Sequence, residues 1–238
     1  MMKNIRIMLL MALLTVVGNA SADELTVSNV AIKAGETKTI SIELNNPDKD
    51  YIAFEFDITF PDGISIVTDE NDLFVASFNE ERSNGHNLDV SKNAEDGNYH
   101  FLGYAYPNKS FKGNSGELIQ ITISCDANAS KGNYNATVEE IIFSDTDKKE
   151  VDFDDFSFGV NIFVPGDVNS DGRVTPADAI MILYHYFNVA QSGFNVNAAD
   201  MNGDGSITPA DAIEALYKYF NSAGGNNARH SKPTGEPE

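Results

Sequence analysis

Hydrophobic and polar residues alternate along most of the chain from residue 24 to about residue 164. This period of two is typical of strands that bury one face against a core. Roughly nine such segments are separated by turn signals such as Pro61-Asp62-Gly63, which predicts an antiparallel β-sandwich. The polar segment 72–97 has no clear period and is expected to be a long loop or a marginal edge element. The clearest strand face carries Phe54, Phe56, Ile58 and Phe60.

The pattern changes to a helical period after Pro165-Gly166, and from there the sequence repeats itself. One copy reads DVNSDGRVTPADAIMILYHYF from residue 167, and the other reads DMNGDGSITPADAIEALYKYF from residue 200. Each copy predicts a loop followed by a short helix that starts at Thr-Pro, because Thr caps a helix and Pro fits its first turn. Neither helix can bury an apolar stripe alone, so the two stripes are expected to pack together. The stripes are Ile180, Leu183 and Phe187 in one helix and Ile213, Leu216 and Phe220 in the other.

Each repeat opens with an Asp-x-Asn-x-Asp-Gly run, and an aspartate follows at loop position twelve. This spacing can wrap oxygen atoms around one hard cation, and Ca²⁺ takes about six to eight oxygen ligands. The carboxylates repel one another without a cation, so metal binding and folding are expected to be coupled. The pattern predicts two Ca²⁺ ions, with a backbone carbonyl as the ligand at position seven. The predicted ligands are Asp167, Asn169, Asp171, Arg173 and Asp178 in the first loop and Asp200, Asn202, Asp204, Ser206 and Asp211 in the second.

Residues 166–220 resemble a type I dockerin, a duplicated loop–helix calcium module that docks exported proteins onto cohesin domains. The similarity covers both loops and both helices. It implies a partner surface just before the last calcium ligand of each loop and further along each helix. Many dockerins carry a Ser/Thr pair where both copies here read Pro-Ala, which argues against a typical clostridial cohesin partner. The implied partner residues are Pro176, Ala177, Tyr184 and His185 in one copy and Pro209, Ala210, Tyr217 and Lys218 in the other.

Because the two copies agree at these positions, a module rotated by half a turn would present nearly the same surface. The sequence therefore predicts two docking orientations, which substitutions at Ala177 and Ala210 would test.

The predicted sandwich more weakly resembles cohesin-like and carbohydrate-binding β-sandwiches, through residues 35–44, 54–63 and 113–123. Most of these positions are turn glycines and core aliphatics, so they report the fold better than the ligand. Exported proteins of gut-type Bacteroidetes are similar in having such a sandwich directly before a dockerin-like tail. The expected fold is a mostly β, jelly-roll or cohesin-like sandwich followed by a small all-α dockerin domain with two EF-hand-like calcium loops.

Charge and composition narrow the function further. The chain of 238 residues has Asp+Glu 36 against Lys+Arg 16, a balance that argues against nucleic acid and favours divalent cations as partners. The single cysteine, Cys125, excludes an internal disulfide and a zinc site built on thiolates. Lys3 and Arg6 before an apolar run, with Ala20-Ser21-Ala22 after it, predict a bacterial secretory signal. The run at 7–17 is too short to span a membrane.

The expected organisation is a signal peptide at 1–22, a sandwich at 23–164, a dockerin at 166–220 and a disordered tail at 221–238. Only Pro165-Gly166 lies between the two folded parts, so rigid packing of the dockerin on the sandwich is expected. The leading interpretation is a secreted or cell-surface, non-catalytic protein. Its dockerin would mediate assembly with a cohesin-like domain, either on another chain or in its own sandwich.

Two other functions stay open on the sequence alone. Polysaccharide capture would use strand tyrosines in place of the absent tryptophan. A glycan hydrolase would need paired carboxylates such as Glu43, Glu55 and Asp57, although acids on alternating strands more often line the solvated face. The candidate sugar platforms are Tyr51, Tyr99, Tyr104 and Tyr106.

Overall fold

A computed structural model of the chain describes residues 23–227, with side chains described for residues 23–222. The predicted signal peptide at 1–22 lies outside the described residues. Within them, twelve strands form two sheets. The strands are β1 (Glu24–Val27), β2 (Val30–Lys33), β3 (Thr37–Asn45), β4 (Tyr51–Thr59), β5 (Ile64–Ile66), β6 (Ala76–Phe78), β7 (Asn87–Lys92), β8 (Tyr99–Tyr104), β9 (Glu117–Cys125), β10 (Gly132–Asp145), β11 (Glu150–Asp152) and β12 (Phe156–Phe163).

The two sheets form the sandwich that the alternating pattern predicts. One sheet has the order β1-β3-β9-β5, with β6 also paired to β9. The other has the order β2-β12-β10-β4-β8-β7, with β11 paired to β10. All pairs are antiparallel except β2 with β12, which run parallel. The inward side chains of both sheets form one core, in which Phe56, Phe101 and Ile121 are fully buried.

The polar segment 72–97 differs from the loop that was expected, because it contains β6 and β7. β6 pairs only with β9, and β7 pairs only with β8, so both lie at sheet edges. An edge strand needs one paired side and tolerates polar residues on its solvated face. The alternation in such a strand is therefore too weak to stand out in the sequence.

Three helices follow the sandwich: α1 (Pro176–Tyr186), α2 (Val196–Ala199) and α3 (Pro209–Asn227). The first and third start at the Thr-Pro pairs, as predicted. The short α2 was not predicted. The disordered tail was expected to start at residue 221, which is wrong for residues 221–227, because α3 continues through them. Extending a formed helix adds one hydrogen bond per residue without a new nucleation cost. Residues 228–238 lie outside the described part of the chain.

The helices pack through a different face from the one that was expected. Ala179 and Ile182 of α1 and Ala212 and Ala215 of α3 are buried. The predicted stripes are instead largely exposed, with only Leu183 and Leu216 packing against the buried cluster from its edge. Small alanine side chains let the helices approach closely, and a shift by one residue rotates the buried face by about 100°. The exposed fractions are 49% for Ile180, 66% for Phe187, 51% for Ile213 and 60% for Phe220.

No helix in residues 23–227 is both long enough and apolar enough to cross a membrane.

Gly103 in β8 leaves room for an aromatic ring of the core. It lies opposite Phe54 in β4, and a Cβ atom at Gly103 would lie 2.4 Å from the Phe54 ring. Cores tolerate added volume poorly because neighbouring side chains must leave their rotamers. The absent side chain at Gly103 therefore fixes where the Phe54 ring packs.

We expect Gly103→Ala to lower the free energy of unfolding of the sandwich by about 1–3 kcal/mol, since the Phe54 ring must move. Urea unfolding followed by circular dichroism would measure this. The double variant Gly103→Ala/Phe54→Leu should recover part of the unfolding free energy lost in Gly103→Ala, because the smaller leucine makes room for the added methyl group. The exposed Ser91→Ala in the adjacent β7 serves as a control. Equal stability of Gly103→Ala and the wild type would contradict the packing described here.

Candidate calcium loops and docking groove

The first predicted calcium loop is closed by hydrogen bonds between its own side chains and amides. Asp167 accepts from the amides of Asp171 at 3.0 Å and Gly172 at 2.9 Å. Asn169 accepts from the Asp171 amide at 3.0 Å and donates to the Asp171 carboxylate at 2.9 Å. Gly172 has φ 88°, a left-handed conformation that suits glycine. These bonds bring together the side chains at loop positions one, three and five.

The carboxylate at position twelve, Asp178, joins the start of this loop to α1. Its Oδ1 accepts from the amides of Val168 at 3.0 Å and Asn169 at 3.3 Å. Its Oδ2 accepts from the amide of Thr175 at 2.8 Å and from the Thr175 hydroxyl at 3.0 Å. The Thr175 hydroxyl in turn accepts from the Ala177 amide at 3.3 Å, which completes a capping box. Asp178 therefore closes the loop and caps the helix while fully buried.

The second loop repeats this arrangement with one difference. Asp211 accepts from the amides of Met201 at 2.9 Å, Asn202 at 3.3 Å and Thr208 at 2.8 Å. It also accepts from the Thr208 hydroxyl at 3.1 Å. Asp200 accepts from the amide of Gly205, as its counterpart Asp167 does from Gly172, but its second bond comes from Gly203 instead of Asp204. The sequence repeat is thus a repeat in hydrogen bonding as well.

The two loops differ in their electrostatics. Burial raises the pKa of Asp167, and the charges of Asp178 and Asp171 raise it further against the opposing effect of two amide hydrogen bonds. For Asp211, burial also acts to raise the pKa, but hydrogen bonds from surrounding amides outweigh burial and lower it overall. In the first loop burial therefore outweighs the amide hydrogen bonds, and the neighbouring carboxylates add a smaller effect in the same direction as burial.

The residues of each loop fit a hard cation, provided that amide and carbonyl oxygens take part. Within residues 23–227, no three Asp, Glu, His or Cys side chains form a group that could hold a metal by themselves. The predicted set adds an Asn amide and a backbone carbonyl, and all of its donor atoms are oxygens, which Ca²⁺ prefers. The two carboxylate oxygens of Asp178 already accept four hydrogen bonds, which is the capacity of a carboxylate, so a cation bound there would replace some of them. The donor chemistry of both loops is therefore that of a calcium site.

Next to the loops, α1 and α3 form an open groove of about 360 Å³. Its lining is entirely apolar, and every residue of the first helix has its repeat counterpart in the second. The groove is therefore nearly two-fold symmetric. The sequence did not predict that the isoleucines and leucines of this groove lie at the surface, because their spacing assigned them to a buried stripe. The lining residues are Pro176, Ala179, Ile180 and Leu183 with Pro209, Ala212, Ile213 and Leu216.

The predicted partner residues fall into three groups. The prolines of both copies line the groove, and Ala177 and Ala210 are exposed beside it. Tyr184 and Tyr217 are 49% and 64% exposed. The remaining two side chains contact the chain itself.

Those two residues are His185 and Lys218. His185 stacks on Phe194 with the ring centroids 4.6 Å apart. The Lys218 ammonium donates to the Pro165 carbonyl at 2.7 Å. Burial lowers the pKa of Lys218, although the charge of Asp167 acts in the opposite direction. The charged end of Lys218 is thus already engaged within the chain.

Two of the four candidate sugar platforms are excluded, because Tyr51 and Tyr99 are only 1% and 2% exposed. Both pack inside the sandwich and cannot stack on a ligand. Tyr104 and Tyr106 are exposed.

The carboxylates considered for catalysis are also separated. Glu43 is in β3 of one sheet, whereas Glu55 and Asp57 are in β4 of the other. Asp57 is hydrogen-bonded to His100 and Asn98, each at 2.7 Å. Glu43 therefore does not share a sheet surface with the other two acids.

Comparison with family models gives the class of protein. Residues 24–162 match the cohesin domain, and residues 165–222 match the dockerin type I domain. The chain therefore belongs to the cohesin family and carries a type I dockerin domain after its cohesin domain, which confirms the predicted resemblance. Both are non-catalytic assembly modules, dockerins bind cohesin domains, and type I dockerins normally bind calcium.

Solved structures of low sequence identity are similar to the sandwich. A non-cellulosomal cohesin from Archaeoglobus fulgidus is 12% identical, covers 60% of this chain and 92% of its own, and has a TM-score of 0.46. The sixth cohesin of Acetivibrio cellulolyticus scaffoldin B, solved in complex with a Cel5 dockerin, is 16% identical with coverages of 60% and 100% and a TM-score of 0.48. The Coh-OlpA–Doc918 complex of Clostridium thermocellum is 16% identical, covers 60% of this chain and 100% of its own, and has a TM-score of 0.47. A search of curated proteins found no match.

We expect Thr175→Ala to lower the stability of the dockerin by about 0.5–2 kcal/mol, because the Ala177 amide loses its cap. Thr208→Ala should have a similar effect through the equivalent contact with Ala210. Thermal unfolding at 222 nm in saturating calcium would measure both, and Thr175→Ser should retain most of the stability. Ser192→Ala, at an exposed position between the repeats, is the control. A Thr175→Ala variant as stable as this control would contradict the capping role.

Proposed function

We propose that this protein is a secreted, non-catalytic assembly component whose dockerin binds calcium and docks onto a cohesin domain of another chain. The observation that carries this proposal is the exposed, two-fold symmetric apolar groove beside two loops of calcium-binding chemistry. Exposed apolar surface of this kind, rimmed by polar residues, marks interaction sites. The cohesin domain at 23–164 presents a separate binding surface of its own, and the dockerin at 166–220 forms the second attachment point.

In this proposal each loop holds one Ca²⁺ ion through the predicted side-chain oxygens and one carbonyl. The cation would neutralise a carboxylate, Asp167, whose pKa is raised by burial first and by the charges of Asp178 and Asp171 to a smaller extent. The chain's own contribution is the alignment of the helices. Asp178 and Asp211 connect each loop to the first turn of its helix, so a closed loop sets the start of one groove wall.

Docking onto another chain is favoured over docking onto the protein's own sandwich. Ile180 and Ile213 remain about half exposed although the sandwich is part of the same molecule. The sandwich contacts the dockerin elsewhere, through Asn161 with Asn197, and the Pro165 carbonyl of the connection accepts a hydrogen bond from Lys218. The groove is therefore free for a second protein.

Assembly accounts for more of the described residues than the two alternatives do. For polysaccharide capture, only Tyr104 and Tyr106 remain as exposed candidates among the four tyrosines. For hydrolysis, the three candidate acids do not converge, because Glu43 lies in the other sheet from Glu55 and Asp57. Secretion would place the protein where calcium is plentiful and where cohesin-bearing partners are exposed.

We expect the full chain to bind two Ca²⁺ ions per molecule. We also expect it to capture cohesin domains only when both ions are bound. Isothermal titration calorimetry after removal of EDTA would give the number of calcium ions bound. A pull-down against a panel of cohesin domains, with and without calcium, would show whether cohesin binding depends on calcium. Helical ellipticity at 222 nm should fall in EDTA and return with calcium, because the loops resist closing without a cation. Magnesium at equal concentration is the control and should restore less, since it requires tighter octahedral geometry. Full ellipticity in EDTA, or fewer than two ions bound, would contradict the proposal.

We expect two docking orientations, in which either repeat can face the same site of the partner. Each single variant, Ala177→Arg or Ala210→Arg, should weaken partner binding by only about twofold, because one of the two equivalent orientations remains available. A twofold change in affinity is a small change in binding free energy. The double variant should abolish binding. Surface plasmon resonance with a captured cohesin domain would measure this, with the exposed Ala190→Arg as the control. A severe loss from either single change would show that one orientation is used.

A further inference from the structure

Phe163, the last residue of β12, faces the dockerin. In β12, Phe158, Val160 and Ile162 point into the sandwich core. Alternation along a strand places the next residue, Phe163, on the outer face of the sheet. An outward phenylalanine would normally be exposed, yet Phe163 is only 7% exposed. The dockerin covers it.

Phe163 is a member of the buried cluster of the dockerin and is absent from that of the sandwich. Ala31 of the neighbouring β2 packs against the same dockerin cluster. Two residues from the paired strands β12 and β2 of the sandwich thus complete the core of the following domain. The cluster consists of Phe163, Val168, Ala179, Ile182, Ala198, Ala199, Ala212 and Ala215.

Hydrogen bonds and close packing at the short connection restrict the movement of the two domains relative to each other. The Gly166 amide donates to the Ala198 carbonyl at 2.7 Å, and the Asn197 amide group donates to Asn161 of β12 at 3.0 Å. Gly166 has φ 88°. A Cβ there would lie 3.0 Å from Met201 and Val174, which makes the position tight as well as left-handed. The sandwich, the connection and α2 are therefore packed as one unit.

This cluster lies directly behind both predicted calcium loops. Val168, at position two of the first loop, donates its amide to Asp178. Ala198 and Ala199 immediately precede Asp200, the first residue of the second loop. Met201 packs against the cluster and donates its amide to Asp211. A side chain that fills the cluster therefore supports the amides that hold both position-twelve carboxylates.

We propose that Phe163 is a positioning residue for the calcium loops, so that the cohesin domain sets the calcium affinity of the dockerin attached to it. The two domains then fold as one calcium-coupled unit, and the groove between α1 and α3 keeps a fixed direction relative to the sandwich. This inference rests on the proposed binding of calcium to the loops. It predicts that a change in the sandwich sequence alone alters metal binding.

Calcium titration calorimetry of the full chain would test the proposal with the variants Phe163→Ala and Phe163→Leu. Loss of a large buried side chain from a small core should weaken calcium binding by about tenfold or more, because loop closure must then offset the lost packing. Phe163→Leu should retain most of the affinity. Amide hydrogen exchange in saturating calcium should show faster exchange at residues 198–202 in Phe163→Ala.

The matched control is Phe156→Ala, on the same strand, where the side chain packs against the sandwich core. It should lower the stability of the sandwich, measured by urea unfolding, and leave calcium affinity unchanged. Wild-type calcium affinity in Phe163→Ala, or an equal loss of affinity in both variants, would overturn the inference. Absence of calcium binding by the wild-type chain would instead refute the proposed function, so the two failures are distinguishable.

Discussion

Two buried aspartates, Asp178 and Asp211, are the constraint on which the dockerin depends. Each accepts four hydrogen bonds, two from the start of its loop and two from the threonine that caps its helix. A fully buried carboxylate is costly unless such donors compensate it. Loop closure and helix initiation are therefore one event in each repeat. The groove inherits its geometry from both events, since its walls are the two helices that these aspartates start.

The cohesin domain provides the platform on which this small domain can be stable. The dockerin core consists mainly of alanines with Ile182 and Val168, and clusters this small bury little apolar surface. Adding Phe163 from the sandwich supplies its largest buried side chain. The chain thus joins an extended β core to a minimal helical core through one aromatic residue. A single polypeptide can in this way hold two assembly surfaces at a fixed separation.

The sequence predicted the features that depend on local chemistry. The Thr-Pro helix starts and the inward Phe54 and Phe56 follow from short-range pattern and are present in the structure. The prediction of the buried helix face was wrong. A stripe spaced i, i+3, i+7 and the alanine face beside it are both plausible until the position of the partner helix is known. Tyr51 and Tyr99 stayed open as sugar platforms because the sequence of a strand does not show which of its tyrosines face the core, and both are buried. The role of Phe163 could not be predicted, since alternation alone assigns it to solvent.

The composition of the groove argues for the kind of recognition it supports. In a chain with formal net charge −20, its lining carries no charged or polar side chain. Its affinity would come from apolar burial, which salt does not screen, whereas steering by charge would weaken as salt rises. The Pro-Ala pairs fit this picture, because Pro176 and Pro209 line the groove and carry no hydrogen-bonding side chain. Selectivity would then rest on the shape of the partner more than on matched hydrogen bonds, and the near two-fold symmetry lets either repeat supply that shape.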